Sequence, residues 1–150
     1  MRMRRNGVIS TALGVSASLM MPVFLARSQP HPQPELALRK VVGIEYPWLA
    51  RMASLQGNVE LKANIQQDGT VTDIQIVSGP PPLAQPAKDA LSTWRFTGCA
   101  SIEKGCTEAF MFTFTLTGSC DVSEHCPSTF EVELPGKITI TSKRIKGIVH

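Results

Sequence analysis

The alternation of hydrophobic and polar positions predicts three strands in the middle of the chain. From Asn58 to Gln66, apolar residues at every second position share one face of an extended chain and polar residues share the other. Asp68-Gly69 is typical of a hairpin turn, so a return strand is expected over Thr70–Val77. The alternation of this strand is less regular, which a β-bulge would correct. A third strand is predicted over Glu108–Thr117, with its phenylalanines facing the core.

Apolar residues three and four positions apart predict two short helices. The first covers Tyr46–Ala53, where Pro47 suits the first helical position. Its apolar stripe comprises Leu49, Met52 and Ala53. The second helix follows a run of prolines, and its stripe comprises Leu83, Ala87, Ala90, Leu91 and Trp94. We expect Trp94 to anchor this helix on the sheet, and Pro86 to lie in or near its first turn, where it costs little.

A further hairpin is predicted beyond the third strand. Its strands are Thr129–Leu134 and Lys137–Ile145, joined by the turn residues Pro135-Gly136. Because sequential strands are commonly neighbours, we expect Thr129–Leu134 to lie antiparallel beside Phe110–Thr117. The hairpin would then extend the sheet and cover its exposed edge. Lys137–Ile145 would then form the free edge of the sheet.

The N-terminal residues 1–28 predict an export signal. A positive region with Arg2, Arg4 and Arg5 precedes an uncharged apolar stretch from Val8 to about Leu25, and small residues at a cleavage site follow. The stretch is also just long enough to remain as an anchor in the inner membrane, so cleavage and retention are both open. Either outcome predicts a periplasmic location. Residues 29–43 form a proline-containing linker.

The chain has four cysteines, which suits an exported protein with disulfide bonds. They are Cys99, Cys106, Cys120 and Cys126, and they allow three connectivities. Local pairing, Cys99 with Cys106 and Cys120 with Cys126, is the simplest because each pair closes one short loop. A metal site that includes His125 is the alternative. The cysteine spacings are not those of zinc sites, so no metal is expected.

Composition and charge exclude two classes of function. Four of the 15 Lys and Arg residues lie in the first 28 positions, which leaves 11 basic residues against 12 acidic ones in the remainder. A nearly neutral domain lacks the electrostatic footprint of a nucleic-acid-binding protein. Its three histidines lie in the linker, a cysteine-bounded loop and the terminus, and no serine or cysteine has an evident base. We therefore expect neither an enzyme nor a cofactor.

A set of short motifs occurs in order over about residues 44–117. The motifs are Tyr46-Pro47, Gly57-Asn58-Val59, Asp68-Gly69-Thr70-Val71-Thr72-Asp73, Ser78-Gly79, Leu83, Ala90-Leu91 and Trp94-Arg95-Phe96. In this order they resemble the C-terminal domain of TonB-type energy transducers. The resemblance implies an α+β fold with two short helices on one face of an antiparallel sheet of three strands. Residues 118–150 would extend this sheet with a cysteine-containing loop and the C-terminal β-hairpin.

The same resemblance implies a function in protein interaction and transmembrane transport. Such domains capture an extended segment of an outer-membrane TonB-dependent receptor, or of another envelope protein, by β-strand addition. By analogy the receiving edge is the third strand, with residues near Tyr46 close by. If the C-terminal hairpin covers that edge, a captured strand must use another edge, such as Lys137–Ile145, or displace the hairpin. The implied partner-binding residues are Tyr46, Pro47, Phe110, Met111, Phe112, Thr113, Thr115 and Thr117. The alternative is a structural envelope protein that keeps the fold without energy transduction.

Overall fold

The computed structural model describes residues 36–97, 99 and 105–146, together with Gly14. The predicted signal or anchor over residues 1–28 and the linker up to residue 35 lie outside the described residues, so both stay predictions. All described residues from 36 onward belong to one unit, Pro32–His150. Within the described part of the chain, no helix is both long and apolar enough to cross a membrane.

Seven strands and two helices are described. In chain order they are β1 (Leu38–Lys40), α1 (Trp48–Met52), β2 (Gly57–Ile65), β3 (Val71–Ser78), α2 (Pro81–Thr93), β4 (Arg95–Phe96), β5 (Cys106–Asp121), β6 (Thr129–Glu133) and β7 (Lys137–Lys146). Five strands form one sheet in the order β3-β2-β5-β7-β6, and β1 pairs with β4 in a small second sheet.

The predicted hairpin of β2 and β3 is confirmed. The apolar residues of β2 are all buried, as its alternation requires: Val59, Leu61, Ala63 and Ile65. The register of β3 against β2 shifts at two points, and Asp73 has a φ of 50°, so the irregular pattern of β3 does reflect bulges. In the turn, a Cβ on Gly69 would lie 1.8 Å from the carbonyl oxygen of Phe96, so only glycine fits.

The C-terminal hairpin joins the sheet differently from our expectation. β6 and β7 pair antiparallel, as predicted, but β7 lies beside β5 and runs parallel to it. The prediction that Thr129–Leu134 lies antiparallel beside β5 is therefore wrong. Lys137–Ile145 is an interior strand and not a free edge. The sheet has five strands of mixed pairing instead of three antiparallel strands with an appended hairpin.

The difference follows from the apolar content of the two strands. β7 has 10 residues, and its Ile138 and Ile140 are fully buried. β6 has only five residues, and its Phe130 remains 37% exposed. Placing the longer, more apolar strand in the interior removes more apolar surface from water. The turn between them packs closely on β5, since a Cβ on Gly136 would lie 2.2 Å from the carbonyl oxygen of Ala109.

Helix α2 presents the predicted face to the sheet. Leu83, Ala84, Ala87 and Leu91 are buried, and Trp94 ends the helix with no exposed surface. Pro86, however, lies inside the helix and not in its first turn, because the helix already begins at Pro81. At that position its ring nitrogen forgoes one helical hydrogen bond.

Helix α1 is shorter than predicted and is rotated. Pro47 caps it instead of occupying the first helical position. Leu49 is 77% exposed and Met52 48% exposed, so the predicted apolar stripe faces solvent. The buried residues are Ala50 and Arg51. The Nε–H of Arg51 donates to the Lys143 carbonyl oxygen at 2.9 Å, and this bond to β7 fixes the orientation of so short a helix.

Both helices cover the same face of the five-stranded sheet, as the resemblance implies. Ala50 of α1 and the buried residues of α2 belong to one core cluster with the inward residues of β2, β5 and β7. The opposite face is open and polar. Its central part is formed by half-buried threonines: Thr113, Thr115, Thr139 and Thr141.

The disulfides connect neighbouring cysteines. Cys99 pairs with Cys106 and Cys120 pairs with Cys126, which confirms the local connectivity. We expect no free thiol when the exported protein is assayed in denaturant without reductant. Removing either pair by serine substitution should lower the free energy of unfolding by about 2–3 kcal/mol, as for short closed loops. Four titratable thiols in the exported protein would contradict this expectation.

Candidate interaction surface

The backbone of β5 is hydrogen-bonded on both sides. β2 pairs with it from Gly57 opposite Phe114 to Ile65 opposite Cys106, and β7 pairs with it along the other side. The edge that the resemblance assigns to a partner strand is therefore occupied by this chain itself. Among the described residues, the unpaired outer strands of the sheet are β3 and β6.

The implied binding residues on β5 divide between the two faces of the sheet. Phe110 and Phe112 are buried in the core. Met111 and Thr117 are exposed on the open face, and Thr113 and Thr115 are half-buried there. Their side chains could contact a partner only across the open face, since the backbone between them is already paired.

Tyr46 and Pro47 lie on the helical side, away from this open face. The Tyr46 ring packs edge-on against Phe114 with centroids 5.3 Å apart, and its hydroxyl donates to the Leu55 carbonyl oxygen. Burial raises the pKa of Tyr46 to about 12, so the phenol stays neutral. Tyr46 and Pro47 therefore lie on the opposite side of the sheet from the exposed residues Met111 and Thr117.

The two outer strands differ in regularity. β3 carries two register shifts, and bulges of this kind protect edges against pairing. β6 pairs with β7 without any shift, from Thr129 opposite Thr141 to Glu133 opposite Lys137. In the described part of the chain, no other backbone hydrogen bond involves residues 129–133. Alternate residues of β6 therefore direct N–H and C=O groups outward.

The side chains of β6 give this edge two distinct faces. Phe130 and Val132 lie opposite Ile140 and Ile138, on the helical side. Glu131 and Glu133 are exposed on the open face. Glu133 accepts a hydrogen bond from Lys137 Nζ at 2.8 Å, and this contact raises the pKa of Lys137. Sequence reasoning missed this edge because it placed β6 inside the sheet, although its short length and alternating acids are typical of an outer strand.

A cleft of about 290 Å³ lies between α1 and the disulfide-closed loop. Its walls include Glu45, Trp48 and Arg51 on one side and residues 124–128 on the other. Ligand atoms of Cys120, Glu124 and Cys126 also lie within 4.8 Å of one another nearby. The two sulfurs are joined in a disulfide, so neither is available as a thiolate ligand.

The open-faced sheet, the two helices on its other side and the regular, unpaired β6 edge define a small α+β domain. The chain belongs to the family described as the Gram-negative bacterial TonB protein C-terminal, whose sequence model matches residues 42–116. This confirms the resemblance seen in the motifs. The solution NMR structure of the Pseudomonas aeruginosa TonB C-terminal domain is similar at a TM-score of 0.46 and 20% identity, covering 55% of this chain and 87% of that chain. No curated protein matches the chain.

Family membership implies a non-enzymatic module of the cell envelope that interacts with outer-membrane receptors. The matched region ends at residue 116, within β5. The Cys120–Cys126 loop and both strands of the C-terminal hairpin lie beyond it. The strand that covers β5 and the unpaired β6 edge therefore both lie beyond the part of the chain that the family model matches.

Proposed function

We propose that this protein is a periplasmic interaction module that captures an extended segment of an outer-membrane receptor or another envelope protein, in support of TonB-type transmembrane transport. Capture occurs by β-strand addition at β6. The observation that carries this proposal is the regular, unpaired backbone of β6 in a sheet whose central strand is already paired on both sides. Backbone hydrogen bonds would supply affinity, and alternate side chains would supply specificity.

Displacement of the hairpin is an unfavourable route to the β5 edge. A partner that replaced β7 would have to expose Ile138 and Ile140, which are fully buried. Each would cost roughly 1.5–3 kcal/mol of hydrophobic free energy before any new contact formed. Addition at β6 requires no such exposure. Met111 and Thr117 remain candidates for side-chain contacts with a partner that crosses the open face.

The charge of β6 suggests the partner's character. Glu131 and Glu133 favour basic residues at alternate positions of the added strand. The same charges disfavour pairing between two copies of this chain. In an antiparallel β6 pair centred on Glu131, the carboxylate would face its own copy, and like charges directly opposite are destabilising. The proposed partner is thus an extended segment of a different protein.

A structural envelope protein is the second candidate function, and one observation favours it. Because β7 completes the pairing of β5, the fold no longer needs a partner to satisfy that strand. Such a protein would keep the family fold and the disulfides without receiving a receptor segment. The two candidates differ in whether the β6 edge has an occupant in the envelope.

Site-specific photo-crosslinking in cells separates the two candidates. A photoreactive amino acid replaces Glu131 in the full-length chain, and Gln75, which is exposed on the bulged outer strand β3, serves as the matched control position. We expect adducts with an envelope protein from position 131 and few from position 75. Hydrogen exchange of purified protein with the captured segment should then show added protection at residues 129–133.

Two outcomes would count against strand addition at β6. Adducts from position 75 alone would place the partner on the opposite edge of the sheet. Absence of adducts at both positions, in protein that is exported and oxidised, would support the structural candidate.

A further inference from the structure

Arg51 is a buried cation with too few partners. It is only 8% exposed, although an arginine side chain is charged at all physiological pH values. Its Nε–H is bonded to the Lys143 carbonyl oxygen, but the terminal nitrogen Nη2 is buried without any hydrogen-bond partner. Among the described residues no carboxylate lies within ion-pair distance of it. Buried charges in proteins are ordinarily paired, so Arg51 lacks the counter-ion that its burial calls for.

The Arg51 residue lines the cleft between α1 and the disulfide-closed loop. At about 290 Å³ this cleft is at the lower limit of ligand pockets, which run from roughly 300 to 1,000 Å³. It therefore suits one or two residues of a peptide better than a larger molecule. Trp48 is 46% exposed and lines the same cleft, so it offers an apolar surface beside the charge.

We propose that this Arg51 cleft binds a single carboxylate of a partner polypeptide. A guanidinium keeps its charge at every physiological pH, and its hydrogen bond to a carboxylate is charge-assisted and about twice as strong as a neutral one. Glu45 and Glu124 also line the cleft, so its charge disfavours a multiply charged ligand such as phosphate. The carboxylate comes from an Asp or Glu side chain or from a chain end. This site goes beyond strand addition at β6 and does not depend on it.

The exposed indole of Trp48 provides the measurement. The oxidised protein is titrated with acetyl-Ala-Glu-Ala-amide and, as the matched control, with acetyl-Ala-Gln-Ala-amide, while tryptophan fluorescence is recorded. The second tryptophan, Trp94, is fully buried outside the cleft and serves as a constant background. We expect the glutamate peptide to change the signal and the glutamine peptide to bind about tenfold more weakly, because it lacks the charge. Acetyl-Ala-Ala with a free carboxyl end tests the chain-end source, and inorganic phosphate should give no response.

Variants assign the binding to Arg51. In Arg51→Gln the two peptides should bind equally weakly, whereas Arg51→Lys, which keeps the charge, should retain part of the difference. Because Arg51 also donates a hydrogen bond to β7, its replacement could disturb the fold. A variant that keeps Arg51 is therefore needed as well. Glu124→Gln removes a like charge from the cleft and should tighten binding of the glutamate peptide about two- to fivefold. Trp48→Phe should abolish the fluorescence change without abolishing binding measured by calorimetry.

The site would be overturned by equal responses to the glutamate and glutamine peptides, or by a phosphate response as large as that to glutamate. It would also be overturned if Arg51→Gln kept the preference for glutamate. These outcomes leave the photo-crosslinking result at position 131 unaffected, so failure of the cleft and failure of strand addition can be told apart.

Discussion

Replacing Trp94 with alanine is expected to lower the free energy of unfolding by about 3–5 kcal/mol, the range for large aromatic residues removed from packed interiors. Trp94 has no exposed surface, and its ring lies 5.9 Å from that of Phe112 and 6.3 Å from that of Phe96. Its indole N–H donates to the Val42 carbonyl oxygen at 3.0 Å. One side chain thus joins the end of α2, the sheet and the segment that precedes α1.

Chemical denaturation of the oxidised protein measures this effect. Trp94→Phe is the informative control, because it keeps most of the packing but leaves the Val42 carbonyl oxygen without its donor, at a cost of about 1–3 kcal/mol. We expect the phenylalanine variant to fall between the wild type and the alanine variant. A loss below about 1 kcal/mol for Trp94→Ala would place the side chain at the surface and contradict the packing of α2 on the sheet.

The second large effect is expected at β7. Ile140→Ala should cost about 2–5 kcal/mol, because Ile140 is fully buried between the neighbouring strands and the helices. Thr139→Ala, one residue earlier on the open face, should change stability by about 0.5 kcal/mol or less. The contrast between adjacent positions tests whether this strand, which lies beyond the family match, is part of the core.

Denaturation midpoints of both variants, compared with amide exchange along β5, provide the measurement. In Ile140→Ala the amides of Met111–Leu116 should exchange faster, since β7 covers that side of β5. Equal and small effects of the two substitutions would mean that the hairpin is only loosely attached and that the β5 edge opens readily. Strand capture at β5, as the resemblance implies, would then regain support.

Residue periodicity predicted the faces of the elements better than their neighbours. The alternation of β2 identified its buried side chains, and the stripe of α2 identified most of its own, missing Ala84 and including the half-buried Ala90. Periodicity carries no information on which strand lies beside which. β7 lies beside β5 because it buries more apolar area there than β6 would. The expectation that sequential strands are neighbours is wrong at this point.

The candidate sites were harder to predict for a related reason. Helix α1 has only five residues, so its orientation is set by tertiary contacts of Tyr46 and Arg51 and not by its own stripe. Arg51 was therefore not recognised as buried, and the cleft beside it depends on the disulfide loop that folds over it. The unpaired β6 edge likewise became visible only once β7 was placed beside β5.

The parallel pairing of β5 with β7 has a consequence for the order of folding. β5 must pair with β2, which lies far upstream in the sequence, and with β7, which lies downstream and ends at Lys146. Sheets built from such non-local pairings fold slowly, because the loops must close before the contacts can form. During synthesis the phenylalanine-rich β5 therefore emerges before the strand that shields it. In that interval its unpaired edge is a site for aggregation or for a chaperone, and early formation of the Cys120–Cys126 disulfide would limit the search of the following strands.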